Sequence, residues 1–304
     1  MGKELWYLLV RGVFSKKVSA MVNFYVHEEE LGSAIRNGRD YAKVIGIRDF
    51  LLLEAIPLSC DGNFNPLEDA VGLSHNVYVG KEMVPYQPKA GQSSFIYPTG
   101  IVKSAENGLL ELPGDIDHFV VSKPAISRHF TITVVLGNDH LEGIFFHLLG
   151  LIPRIDSFTI TVKDYCRKKN KAELFISHTL TTKVAIVGFI RRNCADTLEN
   201  GFVEMSFKTV AGTNCFTLDD HKVLTLKTTD EHLFKLVCAS LKFHDIKESD
   251  HVHVPWIENK HWHYRPCKSL DRKEFIKFLL QEGFMPCKTF ASWMEQLLQG
   301  TLIC

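Results

Sequence analysis

One passage occurs twice in this chain, and a chain built that way must fold around sheets with helices packed against them. His129-Phe130-Thr131-Ile132-Thr133-Val134-Val135 runs through Asp139-His140-Leu141 into an apolar helical stretch. His221-Lys222-Val223-Leu224-Thr225-Leu226-Lys227 runs the same way through Glu231-His232-Leu233. The first histidine stands twelve residues before the leucine in both copies. Period-two alternation marks the strand, and apolar residues three and four apart mark the helix. A second β-rich segment follows each helix, Ser157 to Val162 in one copy and His251 to Val254 in the other. Val22 to Ile56 reads as a third, more diverged strand–helix–strand unit.

These units predict an α+β fold of repeated split β-α-β modules of the ferredoxin-like kind, with a doubly wound α/β sheet as the alternative. The expected modules are 1–128, which includes a β-rich insertion over 57–128 full of turn signals, then 129–215, then 216–304 with terminal helices. Helices are predicted over Glu28 to Ile45, around Leu141 to Gly150 and over Glu231 to Phe243. Asp271 and Glu274 form a capping box for a further helix, and Phe290 to Leu298 reads as the last. Lys183 to Phe189, rich in β-branched residues, reads as a strand.

Composition narrows the function classes. With 45% apolar and 23% charged residues over 304 positions, the chain is globular rather than disordered. The formal net charge of +0 argues against a dedicated nucleic-acid binder. The longest apolar runs are too short to cross a bilayer. The eight cysteines are scattered with no Cys-x-x-Cys, against a zinc ribbon and for reduced thiols in a cytoplasmic protein.

Histidine carries the candidate chemistry. His251 and His253, followed by His261, His263 and Cys267, offer imidazole and thiolate ligands for zinc or another divalent transition metal, since residues two apart on a strand share a face. His129 and His221, at matching places in the two copies, form an alternative paired site for a metal or an acid–base pair. With Thr131 two residues on, His129 resembles the His-x-Thr of the enzymes that use two such motifs on cyclic or 2′,5′ phosphodiesters. His221-Lys222-Val223 lacks the second hydroxyl. The run from His129 to Leu149-Gly150 is similar to the opening of a metal-dependent glyoxalase/dioxygenase module, which implies His129 and His221 as first ligands, but the carboxylate ligand of that family has no counterpart at a matching spacing.

The basic turn Arg167, Lys168, Lys169 and Lys171, with Arg191 and Arg192 ending another predicted strand, is a candidate anion site for phosphate or nucleic acid. No Walker loop, Gly-x-Gly-x-x-Gly, Gly-x-Ser-x-Gly or His-Glu-x-x-His is present. The recurring elements form core, while the polar ones assemble no known catalytic set. The expectation is therefore a non-enzymatic interaction protein with a protein partner and no cofactor. A metal-dependent enzyme is the alternative, and phosphate or nucleic-acid binding comes next.

Overall fold

The computed structural model describes residues 3–14, 19–58, 67–85, 96–104, 117–123, 129–164, 171–209, 213–258 and 260–287. It divides into two compact units, Met1–Gly114 with Pro255–Cys267, and Asp115–Val254 with Lys268–Cys304. The chain opens the first unit with β1 (Glu4–Val13), β2 (Ser19–Glu28), α1 (Leu31–Val44), β3 (Arg48–Leu58), β4 (Ala70–Gly72), β5 (Val77–Pro85) and β6 (Ile101–Lys103). The second unit follows with β7 (His118–Ser122), β8 (Phe130–Val135), α2 (Asn138–Leu151), β9 (Ser157–Asp164), β10 (Lys171–Ser177) and α3 (Lys183–Arg192). It continues through β11 (Val203–Lys208), β12 (Asn214–Leu218), β13 (Leu224–Thr228), α4 (Glu231–Phe243) and β14 (Lys247–Glu248). The first unit then gains α5 (Pro255–Glu258) and β15 (His261–His263), and the second closes with α6 (Arg272–Gln281) and β16 (Phe284–Pro286).

In the first unit seven strands pair in the order β15-β6-β3-β1-β2-β5-β4. Alternation along β1 and β2 buries Trp6, Leu8, Val10, Val22, Phe24 and Val26 on one face, where α1 lays Leu31, Ala34 and Ile35 over them. Gly38 lets the helix come close: a Cβ there would stand 3.1 Å from Leu8 Cδ1. Gly46, at φ +85°, ends the helix in the left-handed conformation that glycine adopts without steric cost.

The second unit is a nine-stranded sheet, β14-β7-β8-β13-β12-β11-β9-β10-β16. Its buried face carries Ile132, Val134, Phe158, Ile160, Met205, Phe207, Phe216 and Leu224, and the apolar stripes of α2, α3, α4 and α6 pack there. Phe158 stacks on Phe207 at 4.9 Å, and Phe145 of α2 stacks on Phe216 at 5.7 Å. Such pairs add about 0.5–1.5 kcal/mol each beyond the area they bury. The Asp271–Glu274 capping box is present at the start of α6. Asp230 caps α4 with its side chain, and Gly137 stands at the N-cap of α2.

The chain is α+β, but the sheet orders are not those of consecutive ferredoxin-like modules. A split β-α-β unit of that kind leaves one strand between the two it joins. This holds for β2-α1-β3 around β1 and for β10-α3-β11 around β9. The α2 connection passes over β13, β12 and β11, and the α4 connection passes over β8 and β7. Most neighbouring strands are antiparallel, so the doubly wound alternative does not describe the sheets either. Residues 129–215 and 216–304, expected as two modules, contribute to one sheet except where 255–267 joins the first unit. The 57–128 segment is divided too, with β4, β5 and β6 in one sheet and β7 in the other.

Lys183–Phe189 lies in α3 and not in a strand. Thr182 accepts a hydrogen bond from the Ala185 N–H, and Ile186, Phe189 and Ile190 bury a helical stripe, so capping and burial override β-branched propensity. Phe290 to Leu298 lies outside the described residues.

Candidate interaction faces and an acid–histidine turn

In the second unit α2, α3, α4 and α6 pack on one side of the sheet, and in the first unit α1 packs on one side, so each sheet presents a second, more polar face opposite them. In the first unit this face is aromatic. Antiparallel register sets Tyr7 of β1 beside Tyr25 of β2, and Tyr25 beside Tyr78 of β5. The Tyr7 and Tyr25 rings lie 5.7 Å apart, and His27 meets the Tyr78 ring edge-on at 6.1 Å. Tyr7 donates its hydroxyl hydrogen to Asn23 Oδ1 at 3.0 Å. Burial pushes the Tyr7 phenol up to about 12, helped by the charge of Glu54, so it stays a neutral donor. The next row runs Asn23, Leu9, Glu54, Lys103, His261 across five strands. Within it Lys103 pairs with Glu54 at 3.5 Å.

In the second unit the corresponding face is hydroxylic. One row places Thr133, Thr225, Thr217, Ser206 and Thr159 side by side on β8, β13, β12, β11 and β9. The adjacent row carries Thr131, Lys227, Cys215, Lys208 and Ser157.

The hairpin turn between β12 and β13 closes one end of the hydroxylic face with Asp219, Asp220, His221 and Lys222. The turn is built by the Lys222 N–H donating to Asp219 O and the Val223 N–H donating to Asp219 Oδ1 at 2.8 Å. Lys163 of β9 reaches it, with Nζ 2.8 Å from Asp220 Oδ1 and 3.0 Å from Glu204 Oε2 of β11. Burial pulls the Lys163 amine down, but the bonds to Asp220 and Glu204 outweigh it and hold the amine above its ordinary range. His221 Nδ1 lies 3.3 Å from Asp220 Oδ1. That bond raises the imidazole's pKa against the opposing effect of burial.

Burial lifts the Asp219 carboxyl to about 6, with the neighbouring Asp220 acting the same way and the Val223 N–H against it. Lys222 is fully buried at φ +63°, an uncommon conformation for a residue other than glycine. Its Nζ donates to Asn200 O at 2.6 Å, and burial lowers its pKa to about 8. Ligand atoms of Asp219, Asp220 and His221 all lie within 4.8 Å of one another. Backbone strain at Lys222 and ionisation shifted by burial thus coincide in one turn.

The expected histidine sites fare differently. His129 and His221 do not meet. β8 and β13 pair antiparallel, from Phe130 opposite Thr228 to Val134 opposite Leu224, so the two histidines precede opposite ends of one ladder. Those four residue steps alone span about 13 Å. His251 and His253 belong to the second unit and lie outside any strand there. His251 is exposed in a turn closed by Ser249, and the His253 N–H donates to His118 Nε2 at 3.1 Å.

His261, His263 and Cys267 belong to the first unit. His261 and His263 share a face of β15 as expected, with Nε2 atoms 3.2 Å apart, while Cys267 Sγ accepts from Arg39 Nη1 at 3.0 Å. Arg167, Lys168 and Lys169 lie outside the described residues, and Lys171 is the first residue of β10. Arg191 and Arg192 sit in the last turn of α3, where the Arg191 guanidinium lies over the Phe146 ring at 4.8 Å.

Sequence reasoning passed over the tyrosine row and the acidic half of the turn. A signal existed for each. Tyr7 and Tyr25 occupy the outward positions of alternating strands, and Asp219-Asp220-His221-Lys222 is a dense run of ionisable groups between two strands.

No protein family, no curated protein and no solved structure matches this chain.

Proposed function

We propose that this protein works by holding a protein partner against the face of its first sheet opposite α1, with Tyr7, Tyr25 and Tyr78 as the anchors. The supporting observation is the in-register row of three tyrosines on three adjacent strands. An outward strand position needs no aromatic ring for folding, whereas a phenol ring supplies large contact area and a polar tip at low entropic cost. Tyrosines already held by ring contacts and by Asn23 lose less freedom on binding. Truncating anchors of this kind usually costs about 2 kcal/mol or more. The test is quantitative crosslinking of the wild type against Tyr25→Ala with Tyr78→Ala. A partner recovered at least about tenfold less by the folded variant supports the reading. Unchanged recovery of every crosslinked protein overturns it.

The mutual reach of Asp219, Asp220 and His221 favours a second reading, a divalent cation at the β12–β13 turn. Carboxylate and imidazole donors suit zinc or manganese. The Lys163 ammonium already occupies Asp220 and Glu204, so a cation must compete with it. Metal analysis of protein purified without an affinity tag decides: a stoichiometric metal lost in His221→Ala supports this reading, and metal-free protein with unaltered melting in chelator ends it.

A further inference from the structure

Two histidines of the second unit belong to neither polar face. His147 lies on the outer side of α2, and His244 follows the last turn of α4, whose carbonyls accept from its backbone N–H. Both are exposed. Their ring centroids are 4.8 Å apart with the planes at 70°. Ser240, one helical turn before His244, places its Oγ 2.5 Å from His147 Nε2 and so fixes the ring against α4. Burial, together with the nearby His244, lowers the His147 pKa, which favours the neutral ring that a metal requires.

Geometry carries the argument. Metal–nitrogen bonds of about 2.0–2.1 Å put two imidazole centroids roughly 4.5 Å apart at a right angle and roughly 5.2 Å apart at a tetrahedral angle. The observed separation falls between these limits. Each ring can turn about χ2 to aim a nitrogen at the shared point without moving its helix. We infer that His147 and His244 form a divalent transition-metal site that bridges α2 and α4, with Nε2 of His147 exchanging the Ser240 hydroxyl for the metal and water completing the coordination. Imidazole pairs suit copper, nickel and zinc, with copper bound most tightly.

The experiment titrates CuCl2 and ZnCl2 into full-length, untagged protein and counts bound equivalents by calorimetry. It compares the wild type with His147→Ala, His244→Ala, Ser240→Ala and His221→Ala. Loss of the same single equivalent in both His147→Ala and His244→Ala, retained in Ser240→Ala and His221→Ala, supports the bridge. Melting temperature should then rise with metal in the wild type and not in the two histidine variants. The same number of equivalents in the wild type and in either histidine variant, or no equivalent bound by the wild type, overturns it. Both histidine side chains are exposed, so the variants keep the fold, which circular dichroism confirms independently.

Discussion

The polar faces of the two sheets obey one rule and differ in content. In both, outward residues recur at every second position and line up across neighbouring strands. The second unit fills its row with Thr133, Thr225, Thr217, Ser206 and Thr159. Threonine is a good strand former and tolerates water, so the bare demands of a sheet explain that row. The first unit puts Tyr7, Tyr25 and Tyr78 in the equivalent place, where strand formation alone would accept threonine equally well. Alternation sets where a face lies, and residue type sets what that face offers, hydroxyls in the second unit and phenol rings in the first.

The sharpest contrast lies within β12, where neighbouring residues point to opposite sides. Phe216 is buried against Phe145 and Phe207, and Thr217 lies on the hydroxyl row. Phe216→Ala is expected to cost about 3–5 kcal/mol in urea unfolding. A smaller loss would mean that the inner face tolerates a cavity and that the two sides differ less than proposed.

The acid–histidine turn gives the second unit's face an electrostatic rim, and pH can expose it. The folded-state pKa of Asp219 is raised from 3.8 to about 6. Its contribution is therefore fully present below the unfolded value and is lost as pH rises through about 6, where the carboxylate must charge inside the fold. In Asp219→Asn the side-chain oxygen still accepts from the Val223 N–H and the group never charges. Relative to wild type, Asp219→Asn should gain stability between about pH 4 and pH 7, by up to about 3 kcal/mol, and then level off. His221 carries a raised pKa as well, so its contribution is also present at low pH and lost as pH rises through its folded value. Following Asp219→Asn in a His221→Gln background separates the two, and a flat difference across that same pH window would count against the buried carboxyl.

Tyr25→Ala with Tyr78→Ala should lower binding at least about tenfold while the first unit stays folded, losing about 1–3 kcal/mol as the Tyr7–Tyr25 and His27–Tyr78 ring contacts go. If Tyr25→Ala with Tyr78→Ala unfolds the first unit instead, its face is structural and the contrast with the hydroxyl row disappears. Tyr7→Phe removes one hydrogen bond to Asn23 and should cost about 1 kcal/mol. Thr217→Val, which keeps the branched Cβ, should change unfolding by no more than about 0.5 kcal/mol.

Much of the local structure was legible in the chain. The duplicated strand-to-helix passage yields β8 with α2 and β13 with α4, and Asp271 with Glu274 marks the start of α6. The site was far less legible. Lys163, Glu204 and Asp220 stand on β9, on β11 and after β12, and only the sheet order makes them neighbours. The repeat even pointed the wrong way for His129 and His221, because matching positions in antiparallel strands lie at opposite ends.

By itself the sequence determined which segments alternate, which carry a helical stripe and where several helices begin, because those signals arise from neighbours within a turn or two along the chain. Only the tertiary structure decided that Tyr78 of β5 joins Tyr7 and Tyr25 of the β1–β2 hairpin in one row and that 129–215 shares a sheet with much of the segment after it. Strand order and register come from burying each apolar face against one particular partner, a choice among distant segments that no local period encodes.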